Sequence, residues 1–207
     1  MKNIFLGLTG NVGSGKTTVL NLLQSKGFRT LNADEMVHAM FISSHSSYIQ
    51  LAEKIDEYFK TSFSESNLID RNILRSFIKE SSNSLKILAE IVKPFITEEI
   101  LKEKHSGQNT VVEVPLLFES FKKDVYDKVI LVYCNDDERK KRIKIRNPNW
   151  SDEHIKIVMG SQMNQQEKIT LADYIIFNHE DADLHEQIDK TIDSLKLPKI
   201  NLSYQNK

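Results

Sequence analysis

The stretch "GLTGNVGSGKTTVL", residues 7–20, constrains this chain's fold more than any other. It holds four of the chain's 7 glycines, followed by a lysine and two threonines. Gly10, Gly15, Lys16 and Thr17 fit the spacing G-x-x-x-x-G-K-[ST]. An apolar run without alternation, Ile4 to Leu8, precedes it, as expected of a strand buried on both faces. Val19, Leu20, Leu22 and Leu23 follow at helical spacing, and Gly27 is placed to end that helix. Strand, bare loop and helix in this order converge backbone N–H groups and a helix N-terminus on one point. Side chains would obstruct an anion there, whereas glycine leaves room and accepts positive φ. The stretch therefore reads as a phosphate-binding loop. Lys16 can bridge the β and γ phosphates of a nucleotide, and the Thr17 hydroxyl can ligate Mg²⁺. A dinucleotide loop fits less well, because after Gly13 and Gly15 the third glycine of G-x-G-x-x-G falls on Thr18.

"FRTLNAD" reads as a second short strand ending at Asp34, so the chain opens as part of a parallel α/β sheet. Residues from about 36 to 105 have a helical pattern and no convincing strand. Within them Leu85, Leu88, Ile91, Val92, Phe95, Ile96 and Ile100 recur at helical spacing, and Pro94 marks a break or a fresh helix start. The sheet resumes with a strand from Thr110 to Val114, stopped by Pro115, and another from Val129 to Cys134. Asn135 and Glu138 have the spacing of a capping box for the next helix. Ser151 caps a helix running to roughly Gln166, and a last strand lies near Tyr174 to Phe177. The C-terminal residues 201–207 read as a loosely held tail.

A net charge of -1 gives no global basic field for nucleic acid or an anionic membrane. The chain's 1 cysteine, Cys134, permits no internal disulfide and no CxxC metal site, and reads as a buried thiol. With no leader pattern and no long apolar span, a cytoplasmic location is expected.

A phosphate loop serves switches and kinases alike, and three features lean toward a small-molecule kinase. Asp34 ends a strand, where ligands of open α/β sheets gather, and its carboxylate can take a proton from an attacking hydroxyl. It could equally cap the helix that follows. Arg139, Arg142 and Arg146 share one helix face, suited either to charge developing in phosphoryl transfer or to plain solvation. Asp70, Arg71 and Arg75 lie in the helical block, where arginine suits a phosphate ligand and a surface salt bridge equally.

Taken together, "GLTGNVGSGKTTV", "NADEMVH", "LIDRNILRSFI", "EVPLLFE" and "QMNQQEKITLADYIIFN" resemble the dephospho-CoA kinase family, in order and spacing, from Ile4 to about Asn178. The resemblance implies a P-loop NTPase-type three-layer α/β/α core (residues 1–35 and 108–200), a helical CoA-binding insertion (36–107) and a helical lid (about 138–168). It implies transfer of the ATP γ-phosphate to the ribose 3′-hydroxyl of dephospho-CoA, with Mg²⁺. Asp34, Lys16 and Arg142 are then the catalytic candidates, Asp34 matching the family's base. Gly13, Ser14, Gly15, Lys16, Thr17 and Thr18 match the ATP loop, and Arg142, Arg146 and Asn178 further ATP contacts. Arg71, Pro115, Leu116, Leu117, Glu119, Gln162 and Lys168 match acceptor-side positions beside Asp34. The implied partners are small molecules only, with no nucleic acid or membrane, in a monomer or weak homo-oligomer.

Five positions depart from the family's usual residues: Asn11, Asn32, Lys93, Glu113 and Asn147. Asn11 replaces a glycine, and asparagine tolerates unusual φ. Asn32 opens the usual DAD triplet as NAD. The rival reading is another P-loop kinase acting on a nucleotide or a shikimate-like alcohol. A GTPase switch is disfavoured, since neither N-K-x-D nor D-x-x-G occurs.

Overall fold

The computed structural model describes residues 3–66, 68–80, 82–120 and 123–195; side chains 71, 77–80, 82, 83, 85 and 120 are outside the description. The expectations for the Arg71 and Leu85 side chains and for the tail 201–207 therefore lie outside the described residues. The chain divides into two compact units, residues 32–103 and the remainder.

In the larger unit β1 (Phe5–Thr9) leads through the glycine loop into α1 (Lys16–Ser25) and then β2 (Arg29–Asn32). After the helical unit come β3 (Thr110–Glu113), α7 (Leu117–Ser120), β4 (Lys128–Tyr133) and α8 (Asp136–Arg146). The chain continues with α9 (Asp152–Gly160), α10 (Gln165–Leu171), β5 (Tyr174–Phe177) and α11 (Leu184–Ser194). The strand order is β2-β3-β1-β4-β5, and β1 pairs parallel with both β3 and β4, as β4 does with β5. Each residue of β1 is buried, because helices cover both faces of the sheet. Leu6 and Leu8 meet Val19, Leu20 and Leu23 of α1 in the core. On the opposite face Gly7 leaves room for Leu117 and Tyr126, and Phe5 stacks on Tyr126.

One expectation is corrected in this unit, and one further helix is found. The helix after Ser151 stops at Gly160, and Asn164 caps a new one by accepting from Gln166 N. The intervening residues instead reach the glycine loop, as described below. The sequence also concealed α11. Asp183 caps it, Ile188 joins the core, and Gln187 hydrogen-bonds both N–H and C=O of Phe177. That pair of hydrogen bonds satisfies backbone on β5, the edge strand.

The smaller unit is helical as expected: α2 (Ala33–Met40), α3 (Tyr48–Phe59), α4 (Phe63–Ser66), α5 (Arg71–Glu80) and α6 (Ser82–Lys104). Its buried residues include Met40, Tyr48, Leu51, Ile55, Phe63, Val92, Ile96 and Ile100. Asp56 fixes the α3–α4 corner by accepting from Thr61 Oγ1, Phe63 N, Ser64 N and Ser64 Oγ. Pro94 does not break α6, contrary to expectation. Pro94 and Glu90 are both exposed, so the Glu90 carbonyl deprived of its helical donor can turn to water. The buried stripe Val92, Ile96 and Ile100 meanwhile holds the helix in register on the other side.

Candidate active site

The glycine loop is a cradle held from outside. Gly15 sits at φ 88 as the residue before α1, and a Cβ there would collide with Asn178 Nδ2. Gly13 sits at φ 79, where a Cβ would lie 2.8 Å from the Arg139 carbonyl. These two positions require glycine both conformationally and sterically. Asn11 does not have the positive φ that its replacement of glycine suggested. Its amide instead donates to Met163 O at 3.0 Å.

Scaffold side chains take up the loop's outward polar groups. Arg139 Nε donates to Val12 O at 2.9 Å, and Asn178 Nδ2 donates to Ser14 O at 2.8 Å. Val12 N donates to Gln162 Oε1 at 2.7 Å. In a trans peptide the N–H points away from its own carbonyl. With the Val12 and Ser14 carbonyls tied to Arg139 and Asn178, the N–H groups of Gly13 and Gly15 face the opposite way, toward the hollow of the loop. The α1 dipole adds positive potential there. Ser14 Oγ is buried in this loop without a hydrogen-bond partner.

The three arginines of α8 do not share a fate. Arg139 is 3% exposed and braces the loop while pairing with Asp136 at 2.7 Å. Arg142 is partly buried; its Nη2 donates to Glu138 Oε2 at 3.1 Å and Asn178 O at 3.0 Å. Its other nitrogen, Nη1, would lie 3.6 Å from a Cβ on Gly15, so the guanidinium borders the loop. Arg146 is exposed in the last turn. Helical spacing placed them on one side but could not say how deep each lies.

Glu119, Gln162 and Lys168, far apart in sequence, form one assembly. Glu119 Oε1 accepts from Met163 N at 3.0 Å and lies 2.8 Å from Lys168 Nζ. Lys168 is fully buried, and although its contact with Glu119 is close as an ion pair, its angle is poor for a hydrogen bond. Through Met163 O and Asn11, and through Gln162 and Val12, the assembly is fastened to the glycine loop. Lys168 and Leu117 thus offer no surface to a ligand in this conformation, while Leu116 is exposed and Pro115 partly so. A cavity of about 1090 Å³ opens beside the loop, lined by Asn11, Arg139, Gln162 and Gln165 and by Lys156 and Met159 of α9.

In the helical unit, β2 ends before Asp34 rather than at it. Asn32 is the cap of α2, its Oδ1 accepting from Asp34 N at 2.9 Å and Glu35 N at 3.2 Å. The helix-capping alternative for Asp34 is therefore corrected. Its side chain is exposed, and among the described residues its carboxylate has no partner. Asp70 does act as a cap, accepting from Asn72 N at 2.7 Å, and Arg75 is exposed. Lys16 and Thr17 open α1, Lys16 partly buried, Thr17 and Thr18 exposed. Among the described residues no helix is long and apolar enough to cross a membrane.

A phosphate cradle at the end of β1, in a sheet of order β2-β3-β1-β4-β5, defines a P-loop kinase fold. The fold is shared with shikimate kinase from Bacteroides thetaiotaomicron, at 15% identity and TM-score 0.54 over 94% of this chain and 99% of that one. The dephospho-CoA kinase family profile matches residues 4–183, and the chain belongs to that family. It is 33% identical to the dephospho-CoA kinase of Carboxydothermus hydrogenoformans over 84% of both chains. It is 27% identical to the solved dephospho-CoA kinase of Campylobacter jejuni, with TM-score 0.66 over 92% of this chain and 96% of that one.

Proposed function

We propose that this chain transfers the γ-phosphate of ATP to the ribose 3′-hydroxyl of dephospho-CoA, giving CoA and ADP, as a cytoplasmic enzyme. The observation that carries the reading is the braced glycine cradle, within a chain matched to the family from residue 4 to 183. The acceptor oxygen bonds to the γ-phosphorus as the bond from that phosphorus to the β–γ bridging oxygen breaks, and ADP leaves. The Gly13 and Gly15 amides with Lys16 hold the ATP phosphates, and Ser14, Thr17 and Thr18 line the same loop. Arg142 meets negative charge spreading over the transferred group, being adjacent to Gly15.

Asp34 accepts the hydroxyl proton; its unpartnered carboxylate supports that role, since Asn32 does the capping. Mg²⁺ neutralises phosphate charge when bound. The exposed Thr17 hydroxyl in the first turn of α1 is an oxygen donor suited to that hard cation. Asn178 and Arg146 are assigned to the nucleotide, and Arg71, Pro115, Leu116 and Glu119 to the acceptor, as the match to family positions implies. Residues 36–107 supply the acceptor-binding insertion and about 138–168 the lid. Gln162, Lys168 and Leu117 act from beneath, by fixing the loop and its neighbours.

The test is incubation of the protein with Mg-ATP and dephospho-CoA, followed by mass spectrometry, with AMP, CMP, dTMP, shikimate and adenosine in parallel. Phosphate gained by dephospho-CoA alone is expected. Product only on another acceptor would retain the kinase fold and refute the acceptor.

A further inference from the structure

We propose that Cys134, Glu138 and His179, brought together at the carboxyl ends of β4 and β5, form a binding site for a thiophilic divalent cation, Zn²⁺ being the best match. Their ligand atoms lie within 4.8 Å of one another, and Cys134 Sγ is 3.3 Å from Glu138 Oε2. A tetrahedral ion with metal–sulfur about 2.3 Å and metal–nitrogen or –oxygen about 2.1 Å needs ligand atoms roughly 3.4–3.6 Å apart. Only a small closure separates the present arrangement from that geometry. Three protein ligands leave a fourth position for water.

The donor set selects the ion. Sulfur and imidazole disfavour Mg²⁺, which prefers oxygen, and favour Zn²⁺. His179 Nδ1 supplies an independent indication: it is shut off from solvent and has no hydrogen-bond partner. A buried, unpaired ring nitrogen is costly, and a cation held through Nδ1 would relieve that cost. The ring is positioned by edge-on contact with Tyr133 and a tilted contact with Phe177. Cys134 lies fully buried at the base, while the Glu138 side chain, 21% exposed, and the partly buried His179 give an entry path.

Burial and the hydrogen bond to Glu138 push the thiol up to about 11, so without metal it keeps its proton. Binding releases that proton to solvent and leaves the thiolate as ligand. Burial works against the Glu138 charge, but donors from Cys134, Glu180 N, Asn135 and Arg142 hold its carboxyl below the usual range. Arg142 Nη2 and Cys134 Sγ both donate to Glu138 Oε2, so a metal bound through that oxygen would displace the Arg142 hydrogen bond. The local positive groups, Arg142, Arg139 and the α8 N-terminus, oppose a cation; the thiolate and Glu138 carboxylate offset them.

The experiment is a cobalt titration of the full chain with a non-thiol reductant and no chelator, followed by absorption spectroscopy. The chain has 1 cysteine, so any thiolate-to-cobalt charge-transfer band reports Cys134. The expected result is a band saturating at one equivalent, displaced by Zn²⁺ and abolished by Cys134→Ser. His179→Phe keeps the ring packing and should weaken cobalt binding at least about 100-fold, beyond what loss of a supporting partner costs. Absence of the band at saturating cobalt, or unchanged affinity in folded His179→Phe, would overturn the proposal.

Discussion

Removing the charge of Glu119 tests whether its ion pair with the buried Lys168 holds the glycine loop in place. Lys168 is fully buried and its ammonium lies 2.8 Å from Glu119 Oε1, whose side chain is 19% exposed. At an effective dielectric of 20, Coulomb's law gives an attraction of about 6 kcal/mol at that distance, before desolvation is subtracted. Breaking a buried pair by removing one partner costs about 3–5 kcal/mol, because the other charge is left uncompensated. The poor hydrogen-bond angle argues for the lower end. Glu119→Gln can still accept from Met163 N, so it isolates the charge, whereas Glu119→Ala adds about 1 kcal/mol for that lost bond.

The expected loss for Glu119→Gln is thus about 3 kcal/mol. With a urea slope of about 3 kcal/mol per molar, the unfolding midpoint of the larger unit falls by about 1 M. Lys168→Met in the same chain should recover most of that loss, because the orphaned charge is gone. Urea denaturation of the single and double variants measures the coupling. A midpoint within about 0.2 M of wild type for Glu119→Gln, or strictly additive effects in the double variant, would refute the reasoning.

Three further outcomes are expected. Lys16→Ala should lower kcat/KM about 1,000-fold, as loss of a group stabilising phosphoryl charge does; a near-normal steady-state value would remove its assigned role. Asp34→Asn should depress kcat far more than ATP affinity, measured by pairing turnover with calorimetric ATP binding; collapse of binding with normal residual chemistry would make it a structural or metal anchor. Asp56→Ala should destabilise the helical unit by about 2 kcal/mol, because its charged acceptor role is lost. Burial opposes the Asp56 charge, but hydrogen bonds from Ser64, Thr61 and Phe63 hold its carboxyl below the usual aspartate range. Its stabilisation is therefore complete above about pH 4 and lost as pH falls through the lower folded value. Thermal melts of wild type and variant should converge in acid, and a gap that widened there would contradict this sign.

The elements legible in the sequence were those with local signals. The glycine stretch announced its own turn, and Asn135 with Glu138 announced the start of α8. Pro94 misled, because a proline breaks an isolated helix but not one whose lost bond faces water while the opposite side packs. The helix after Ser151 is shorter than the sequence predicts because the break before Asn164 serves distant partners, Val12 and Asn11. α11 went unseen since its value lies in clipping Phe177, a contact that no periodicity encodes.

At the candidate site the same division holds. The sequence alone determined the phosphate loop, its lysine and threonine and the run of buried strands, because glycine content, helix dipole and apolar pattern act over a few neighbouring residues. Depth and long-range pairing were decided only by tertiary structure. It made Arg139 a brace rather than a surface charge, gave capping of α2 to Asn32 instead of Asp34, and buried Lys168 against Glu119. It also set Cys134 beside His179 across two adjacent strands. Each of these depends on which strands become neighbours, and that is settled by packing the whole sheet.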